Sequence, residues 1–267
     1  MSLRPATTVV LLRPSPEGFE VFLVQRNRAV GFMPNAWVFP GGRVDEQDSQ
    51  VPADRVSGGD RVVVRWGIPE EEARAFLIAA VRETFEESGL WLGGRPPASD
   101  ARAKLLAGGG FSETIAEATI DLDRLWPWAW WVTPEVEPRR FDTRFLVAIA
   151  PEGEAVHDEG ETVASRWIRP EEAVALAESS ELPMAPPTWW TLRELAACGT
   201  LEEVFAESER RPQRPIQPVV KTDEAGWCLI LPGHPEHPEP AFPGLPGLVR
   251  FAQGRWWAED GRSVPTL

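Results

Sequence analysis

The stretch Arg82-Glu83-Thr84-Phe85-Glu86-Glu87-Ser88-Gly89-Leu90 is the most informative part of this chain. If it is helical, Glu83, Glu86 and Glu87 are spaced i, i+3 and i+4 and crowd one face of the helix. Like charges at this spacing repel each other, so the helix loses stability unless a cation binds among them. Oxygen ligands in a tight group suit a hard divalent ion such as Mg²⁺ or Mn²⁺. Because Arg82 precedes Glu86 by one turn, it can hold that carboxylate through a charge-assisted hydrogen bond.

A run of acidic residues can also be no more than a solvated helix face, because glutamate is a good helix former. The segment upstream favours the metal interpretation. Phe39-Pro40-Gly41-Gly42 ends an apolar stretch, and a double glycine lets the backbone approach a ligand closely. The combination of a Gly-Gly turn with a carboxylate helix predicts a metal site suited to chemistry on phosphate.

These residues resemble the signature of the Nudix hydrolases, G-x5-E-x7-R-E-U-x-E-E-x-G-U, in which U is a bulky apolar residue. Gly42 and Asp48 match its first half, with Asp in place of Glu, and residues 82–90 match its second half, with Thr84 at the first U position. The signature places seven residues before the arginine. Here there are 33, residues 49–81, so an insertion interrupts this Nudix box.

One branch of the family, the coenzyme A diphosphatase-like group, has such an interrupted box. Three further regions resemble that branch: residues 21–26 with 31–40, 131–134 with 139–145, and 231–233 with 235–238. The resemblance implies an α/β fold, the Nudix α/β/α sandwich with a mixed β-sheet. We expect a Nudix domain at 1–211, with an insertion at about 49–68 and an accessory segment at about 96–125. A helical and proline-rich C-terminal extension at 212–267 is expected to pack on it.

The resemblance also implies a reaction, the attack of water on a pyrophosphate bond with the help of Mg²⁺ or Mn²⁺. Carried over residue by residue, the catalytic group is Arg82, Glu83, Glu86 and Glu87, in which the arginine orients the glutamates. The implied metal ligands are the three glutamates and the backbone carbonyl of Gly42. The leading substrate is coenzyme A or an acyl derivative. The alternatives are ADP-ribose or another nucleotide sugar, and a non-catalytic Nudix-fold ligand sensor.

Residues outside the box have less specific interpretations. Four arginines are expected to pair with the phosphates of a substrate, although arginines can equally pair with surface acids; they are Arg26, Arg139, Arg140 and Arg144. Glu159 and Glu161 precede an expected strand and are candidates for the general base. The same acidic loop can also be merely solvated.

Composition narrows the function classes. The formal net charge of −14 argues against binding a nucleic-acid backbone, whereas bound cations still allow an acidic protein to handle a small nucleotide-type diphosphate. The two cysteines do not indicate a disulfide framework, which favours a cytoplasmic protein. The three histidines do not indicate a zinc site. No stretch has membrane-spanning length, so no membrane partner is expected. A homodimer is implied by family likeness only.

Hydrophobic periodicity and turn residues predict the secondary structure. Strands are expected at 6–12, 19–25, 36–39, 62–64, 130–133, 144–150 and 164–168, with a hairpin at 219–231. Helices are expected at 69–89, 101–106, 112–125, 170–178, 188–197 and 201–210. In the helix at 69–89, Leu77, Val81 and Phe85 form the buried stripe. The three glutamates lie off this stripe and are expected to face outward over the rim of the sheet.

Overall fold

The computed structural model of the protein describes residues 3–28, 33–158, 160–223, 226–252 and 255–259. Its strands are β1 (Arg4–Ser15), β2 (Gly18–Arg26), β3 (Trp37–Val38), β4 (Gly41–Arg43), β5 (Val56–Ser57), β6 (Ile120–Asp121), β7 (Trp126–Val132), β8 (Phe141–Ile149), β9 (Thr162–Ile168), β10 (Val219–Asp223), β11 (Gly226–Ile230), β12 (Leu248–Ala252) and β13 (Arg255–Glu259). Its helices are α1 (Asp60–Trp66), α2 (Glu70–Ser88), α3 (Ala101–Leu106), α4 (Phe111–Thr114), α5 (Pro170–Glu178), α6 (Pro186–Ala196) and α7 (Leu201–Arg210).

The main sheet of the described residues is mixed and has seven strands. Its order is β3-β2-β1-β8-β7, with β4 paired to β1 and β9 paired to β2. β1 and β8 run parallel, and the other pairs in this sheet are antiparallel. The long strand β1 organises the centre, because Thr7 lies opposite Gly42 of β4 on one side and opposite Arg144 of β8 on the other.

Both faces of this sheet are buried. Successive side chains of a strand point to opposite faces, so Val9 and Leu11 of β1 pack with α1, α2 and α3, whereas Val10 and Leu12 pack with α5, α6 and α7. The result is the expected α/β/α sandwich with a mixed sheet. Within the described residues, no helix combines the length and the apolar composition needed to cross a membrane.

Helix α2 forms as the sequence predicts. It begins after Pro69 and ends at Gly89, whose φ of 75° is in the left-handed region and whose N–H donates to the carbonyl of Phe85. The predicted stripe of Leu77, Val81 and Phe85 is buried. The three glutamates were expected to face outward, but in the structure their side chains are more buried than this expectation implies. Glu87, which accepts a hydrogen bond from the backbone of Gly41, is almost fully buried.

The insertion at 49–68 contains a helix where a strand was predicted. The β-branched residues 62–64 lie in α1, between Gly59 and Gly67, which both have left-handed φ angles. Val62 and Trp66, one turn apart, are buried against α2, so tertiary packing overrides the β-propensity of a valine run. The intervening Val64 is exposed.

The accessory segment at 96–125 packs on the insertion. Its first helix, α3, has the predicted bounds, but the helix predicted at 112–125 is reduced to the single turn of α4. The following residues form β6 instead, because Ile120 pairs with Val56 of β5. The insertion and the accessory segment therefore pair and stabilise each other.

The described part of the C-terminal extension forms its own antiparallel sheet, in the order β10-β11-β12-β13. The predicted hairpin at 219–231 is β10 with β11. Strands β12 and β13 were not predicted. Leu229, Val249 and Trp256 of this sheet are buried in the same cluster as α5, α6 and α7, so the extension covers one face of the main sheet. A domain boundary at residue 211 stays a prediction.

Candidate active site

Arg82 of α2 is the centre of a buried ion-pair network. Its Nε donates to Oδ1 of Asp48 at 2.7 Å and its Nη2 donates to Oδ2 at 2.9 Å. Both side chains are buried. The backbone N–H of Asp45 also donates to Asp48, at 2.8 Å. Burial outweighs these bonds and raises the pKa of Asp48, yet the paired geometry shows that the carboxylate is held for Arg82.

The remaining donors of Arg82 reach the glutamates and the backbone. Its Nη1 donates to Glu83 at 2.9 Å and to Glu86 at 3.3 Å, and its Nη2 also donates to the carbonyl of Arg43. Burial alone would lower the pKa of Arg82, but the hydrogen bonds that Arg82 donates to Asp48 and the charges of Glu83 and Glu86 raise this pKa. The guanidinium therefore stays charged and orients two of the three glutamates.

The third glutamate is held by the Gly-Gly turn. The backbone N–H of Gly41 donates to Oε2 of Glu87 at 3.0 Å. A Cβ atom added to Gly41 would lie 2.3 Å from the carbonyl oxygen of Thr7, and one added to Gly42 would lie 2.3 Å from Oε1 of Glu83. Any side chain at either position would push β4 away from the sheet or from the glutamates. Both glycines are therefore required by close approach.

The charges of the three glutamates are only partly compensated. Burial raises the pKa of Glu83 to about 7, raises the pKa of Glu86, and raises the pKa of Glu87 well above its ordinary value. In the described part of the chain, no group of three or more acidic, histidine or cysteine side chains is arranged so as to hold a metal ion. Clustered, desolvated carboxylates beside the glycine backbone nevertheless form a donor set that suits a hard divalent cation.

A large cavity opens at this cluster. Its volume is about 1120 Å³, and Glu83, Glu86 and Glu87 line it together with Gly41 and Gly42. Pockets for small-molecule ligands commonly have roughly 300–1,000 Å³. The carboxylates are thus presented to a space that holds a sizeable substrate.

The structure brings two of the four expected phosphate-binding arginines to this cavity. Arg26 lines it, and its buried Nε has no hydrogen-bond partner among the described residues. Arg139 lines the cavity from the exposed β7–β8 connection. Arg140 lies beside Arg139 but does not line the cavity, and its Nε donates to the carbonyl of Thr133 at 3.1 Å.

Arg144 lies on the other face of the sheet, and the expectation that it binds a substrate phosphate is corrected. Its guanidinium carbon lies 3.5 Å from the ring centroid of Trp130, 4.9 Å from that of Trp66 and 5.5 Å from that of Phe76. Burial lowers the pKa of Arg144 to about 10. The physical reason is the alternation of β8, in which Phe145 faces the cavity and its neighbour Arg144 therefore faces α1 and α2.

Of the two candidates for the general base, Glu161 lines the cavity with an exposed side chain, and Glu159 lies outside the described residues. Their neighbour Asp158 also lines the cavity and was missed by the sequence analysis. It accepts bonds from the N–H of Glu161 at 3.0 Å and of Thr162 at 2.8 Å. Burial would raise the pKa of Asp158, but these and further bonds lower it, so the carboxylate stays ionised.

Arg102 of α3 is a second residue that sequence analysis missed. Its Nε and Nη2 donate to the carbonyl of Glu86 at 3.0 and 2.9 Å, and its Nη2 also donates to the carbonyl of Val156 at 2.7 Å. The carbonyls of the last helical turn lack intrahelical partners, and a cation there is stabilising. The accessory segment thereby anchors the end of α2 that carries the glutamates. No local sequence signal identifies such a contact.

Comparisons with known proteins identify relatives of the chain. The chain is 30% identical over 280 residues to acyl-coenzyme A diphosphatase NUDT19 of Gallus gallus, covering 82% of this chain and 74% of that protein. It is 29% identical over 284 residues to acyl-coenzyme A diphosphatase NUDT19 of Homo sapiens, covering 86% and 76%. No protein-family model matches the chain.

A solved structure, that of a Nudix hydrolase from Alicyclobacillus acidocaldarius, is similar over most of its length. The TM-score is 0.67 at 30% sequence identity, and the match covers 77% of this chain and 96% of that one. The glutamate helix, the Gly-Gly turn and the mixed sheet thus occur in a chain whose fold is similar to that of a solved Nudix hydrolase. The protein belongs to the Nudix hydrolase family and is a pyrophosphate-cleaving hydrolase.

Proposed function

We propose that the protein hydrolyses the pyrophosphate bond of coenzyme A or an acyl-coenzyme A, with Mg²⁺ or Mn²⁺ as cofactor. The observation that carries this proposal is one cavity lined both by the three glutamates and by Arg26, whose buried Nε has no hydrogen-bond partner among the described residues. Carboxylates that suit a cation and an arginine that suits an anion are thus exposed to the same bound molecule. The names of the relatives in chicken and human support a coenzyme A-type substrate.

Glu83, Glu86 and Glu87, with the carbonyl of Gly42, are the proposed ligands of the cation. Burial raises their pKa values, which makes the ionised carboxylates costly without a cation, and a divalent ion beside them would offset this cost. When bound, such a cation neutralises charge on the diphosphate and lowers the pKa of a water molecule beside it. Arg82 keeps two of the carboxylates in place while the cation enters.

The remaining roles fall to side chains along the cavity. Arg26 and Arg139 are proposed to bind the oxygens of the diphosphate, which positions the phosphorus atom beside the glutamates. The proton of the attacking water goes to a carboxylate, and we propose Glu161 for this role because its side chain is exposed to the cavity. Glu83 is the alternative, since burial brings its pKa to about 7.

The test is a substrate panel with Mg²⁺ or Mn²⁺, comprising coenzyme A, ADP-ribose and a dinucleotide, with identification of the products. Formation of 3′,5′-ADP and 4′-phosphopantetheine from coenzyme A supports the proposal. Turnover of ADP-ribose alone would identify a nucleotide-sugar pyrophosphatase instead. Saturable binding of coenzyme A without any turnover would identify a ligand sensor. The Glu86→Gln variant, which keeps the shape of the site, controls for a contaminating hydrolase.

We also propose that the enzyme works in the cytoplasm as a homodimer. The scarcity of cysteine supports a reducing compartment, and the resemblance to the family supports the dimer. Light scattering coupled to size-exclusion chromatography distinguishes a dimer of 29.7 kDa chains from a monomer.

A further inference from the structure

The cavity has an apolar end that the hydrolysis of a diphosphate does not use. Away from the glutamates, six apolar side chains contribute to its wall, which are Trp131, Phe145, Pro218, Trp227, Leu229 and Trp256. The last four belong to the C-terminal extension. A diphosphate and its cation need polar groups, so this end is built for a different part of the ligand.

The strand order gives the distance between the two ends. From β4, which contains Gly42, the sheet continues through β1 and β8 to β7, which contains Trp131. Three steps between neighbouring strands at about 4.8 Å place Trp131 about 14 Å from Gly42. Phe145 of β8 lies between them on the cavity face. A ligand that reaches both ends must therefore be extended.

The C-terminal extension is attached where the apolar end lies. Ile216 donates its N–H to the carbonyl of Trp130 at 2.7 Å, and its own carbonyl accepts from Val132 at 3.0 Å. The extension thus begins on the outer edge of β7. From there it runs back over the cavity, and Trp227 and Leu229, two residues apart on β11, both line it.

Two tryptophans of the extension line this end of the cavity next to each other. The ring centroids of Trp227 and Trp256 lie 5.3 Å apart, in a tilted pair. The indole Nε1 of Trp256 donates to the carbonyl of Met184 at 2.9 Å, so its hydrogen-bonding capacity is already used. The ring surface that remains favours an apolar ligand.

We propose that this end of the cavity is an acyl compartment, in which the C-terminal sheet holds the fatty acyl chain of an acyl-coenzyme A while the diphosphate lies at the glutamates. The inference rests on the proposed function and deepens it, because it makes the extension a determinant of substrate specificity. Each methylene group that leaves water strengthens binding by roughly fourfold. A medium-length chain is therefore expected to bind much better than free coenzyme A.

The direct test measures binding in EDTA, where no turnover occurs. Isothermal titration calorimetry with coenzyme A and with dodecanoyl-coenzyme A gives the gain in affinity due to the chain, which we expect to be at least about tenfold for the wild-type protein. Trp227→Ala removes a half-buried ring of the wall and is expected to abolish most of this gain. Trp227→Phe keeps an apolar ring and should restore part of it, which a misfolded protein would not do.

The matched control is Trp257→Ala. Trp257 lies on β13 opposite Arg250 and next to Trp256, so its side chain points to the other face of the same sheet and does not line the cavity. This variant should keep the full gain in affinity.

Turnover of the same two ligands separates the two proposals. Equal binding and equal turnover of both would overturn the acyl compartment and leave the coenzyme A diphosphatase intact. If neither is hydrolysed but the chain still strengthens binding in the wild type and not in Trp227→Ala, the compartment stands and the proposed function fails. An equal gain in wild type and Trp227→Ala would also overturn the compartment.

Discussion

The carboxylate of Asp48 accepts two hydrogen bonds from the guanidinium of Arg82, although 33 residues separate the two in the chain. In the folded chain, the two separated halves of the Nudix signature are therefore in direct contact. A short 3-10 helix at Glu46–Gln50 places Asp48 against α2. The insertion that follows Asp48 in the chain forms separate elements before α2 begins. Although its side chain is shorter than the Glu of the signature, Asp48 still reaches both donors of the guanidinium.

Breaking this pair should destabilise the protein. Asp48→Asn removes a buried negative charge and leaves Arg82 only partly compensated, so we expect a loss of about 3 kcal/mol in the free energy of unfolding, measured by urea denaturation. The control is Asp45→Asn, whose carboxylate lies 3.9 Å from the same guanidinium but is 44% exposed. It should cost less than about 1 kcal/mol. Equal effects of the two substitutions would contradict the central role of Asp48.

Glu87→Gln should affect activity and stability in opposite directions. The amide keeps an acceptor for the N–H of Gly41 but removes a buried charge. We expect turnover to fall by about a thousandfold, because a ligand of the cation is lost. In EDTA at pH 8, the melting temperature should rise. The exposed Glu71 at the start of α2 provides the control, since Glu71→Gln should change neither quantity appreciably. A fall in both quantities for Glu87→Gln would indicate a structural role instead.

Stabilisation by the metal should depend on pH. Without metal, burial raises the pKa of Glu83 from 4.5 to about 7. Its contribution to stability is therefore complete below pH 4.5 and is lost as the pH rises through 7, where a charged side chain has to stay buried. A divalent ion needs the ionised form. The rise in melting temperature caused by Mn²⁺ should thus be larger at pH 8 than at pH 6.

Differential scanning fluorimetry with Mn²⁺ and with EDTA at both pH values measures this difference. Glu83→Gln should make the effect of Mn²⁺ smaller and should weaken its dependence on pH without removing it, because the pKa values of Glu86 and Glu87 are also raised. An equal shift at pH 6 and pH 8 in the wild-type protein would show that the carboxylates do not compete for protons with the ion.

Two arginines that look alike in sequence should behave differently in kinetics. Arg26→Ala removes from the cavity a guanidinium whose Nε has no hydrogen-bond partner among the described residues, and it is expected to raise KM about tenfold, equivalent to about 1.4 kcal/mol of binding. Arg144→Met replaces a guanidinium enclosed by aromatic rings on the opposite face of the sheet. Its kcat/KM should stay within about twofold of the wild type. A larger loss for Arg144→Met than for Arg26→Ala would return Arg144 to the substrate site.

Local features of the sequence were enough to predict α2 and its chemistry. The buried stripe, the left-handed Gly89 and the spacing of Glu83, Glu86 and Glu87 all act over one or two helical turns, where helical geometry alone decides which residues are neighbours. The same holds for α5, for α7 and for the strands of the main sheet except β4, which was expected as a turn, because their periodicity and end signals are local. The family resemblance added the order in which these elements assemble.

Only the tertiary structure determined which face of the sheet the site residues outside α2 occupy and which residues they contact there. Shifting a strand by one residue exchanges its faces, so the sequence of β8 could not tell whether Arg144 or Phe145 enters the cavity. The contacts of Asp48 with Arg82, of Arg102 with the end of α2, and of the C-terminal sheet with the cavity join distant parts of the chain. Such contacts depend on how the layers of the fold pack together. This packing produces no periodic pattern in the sequence around the contacting residues.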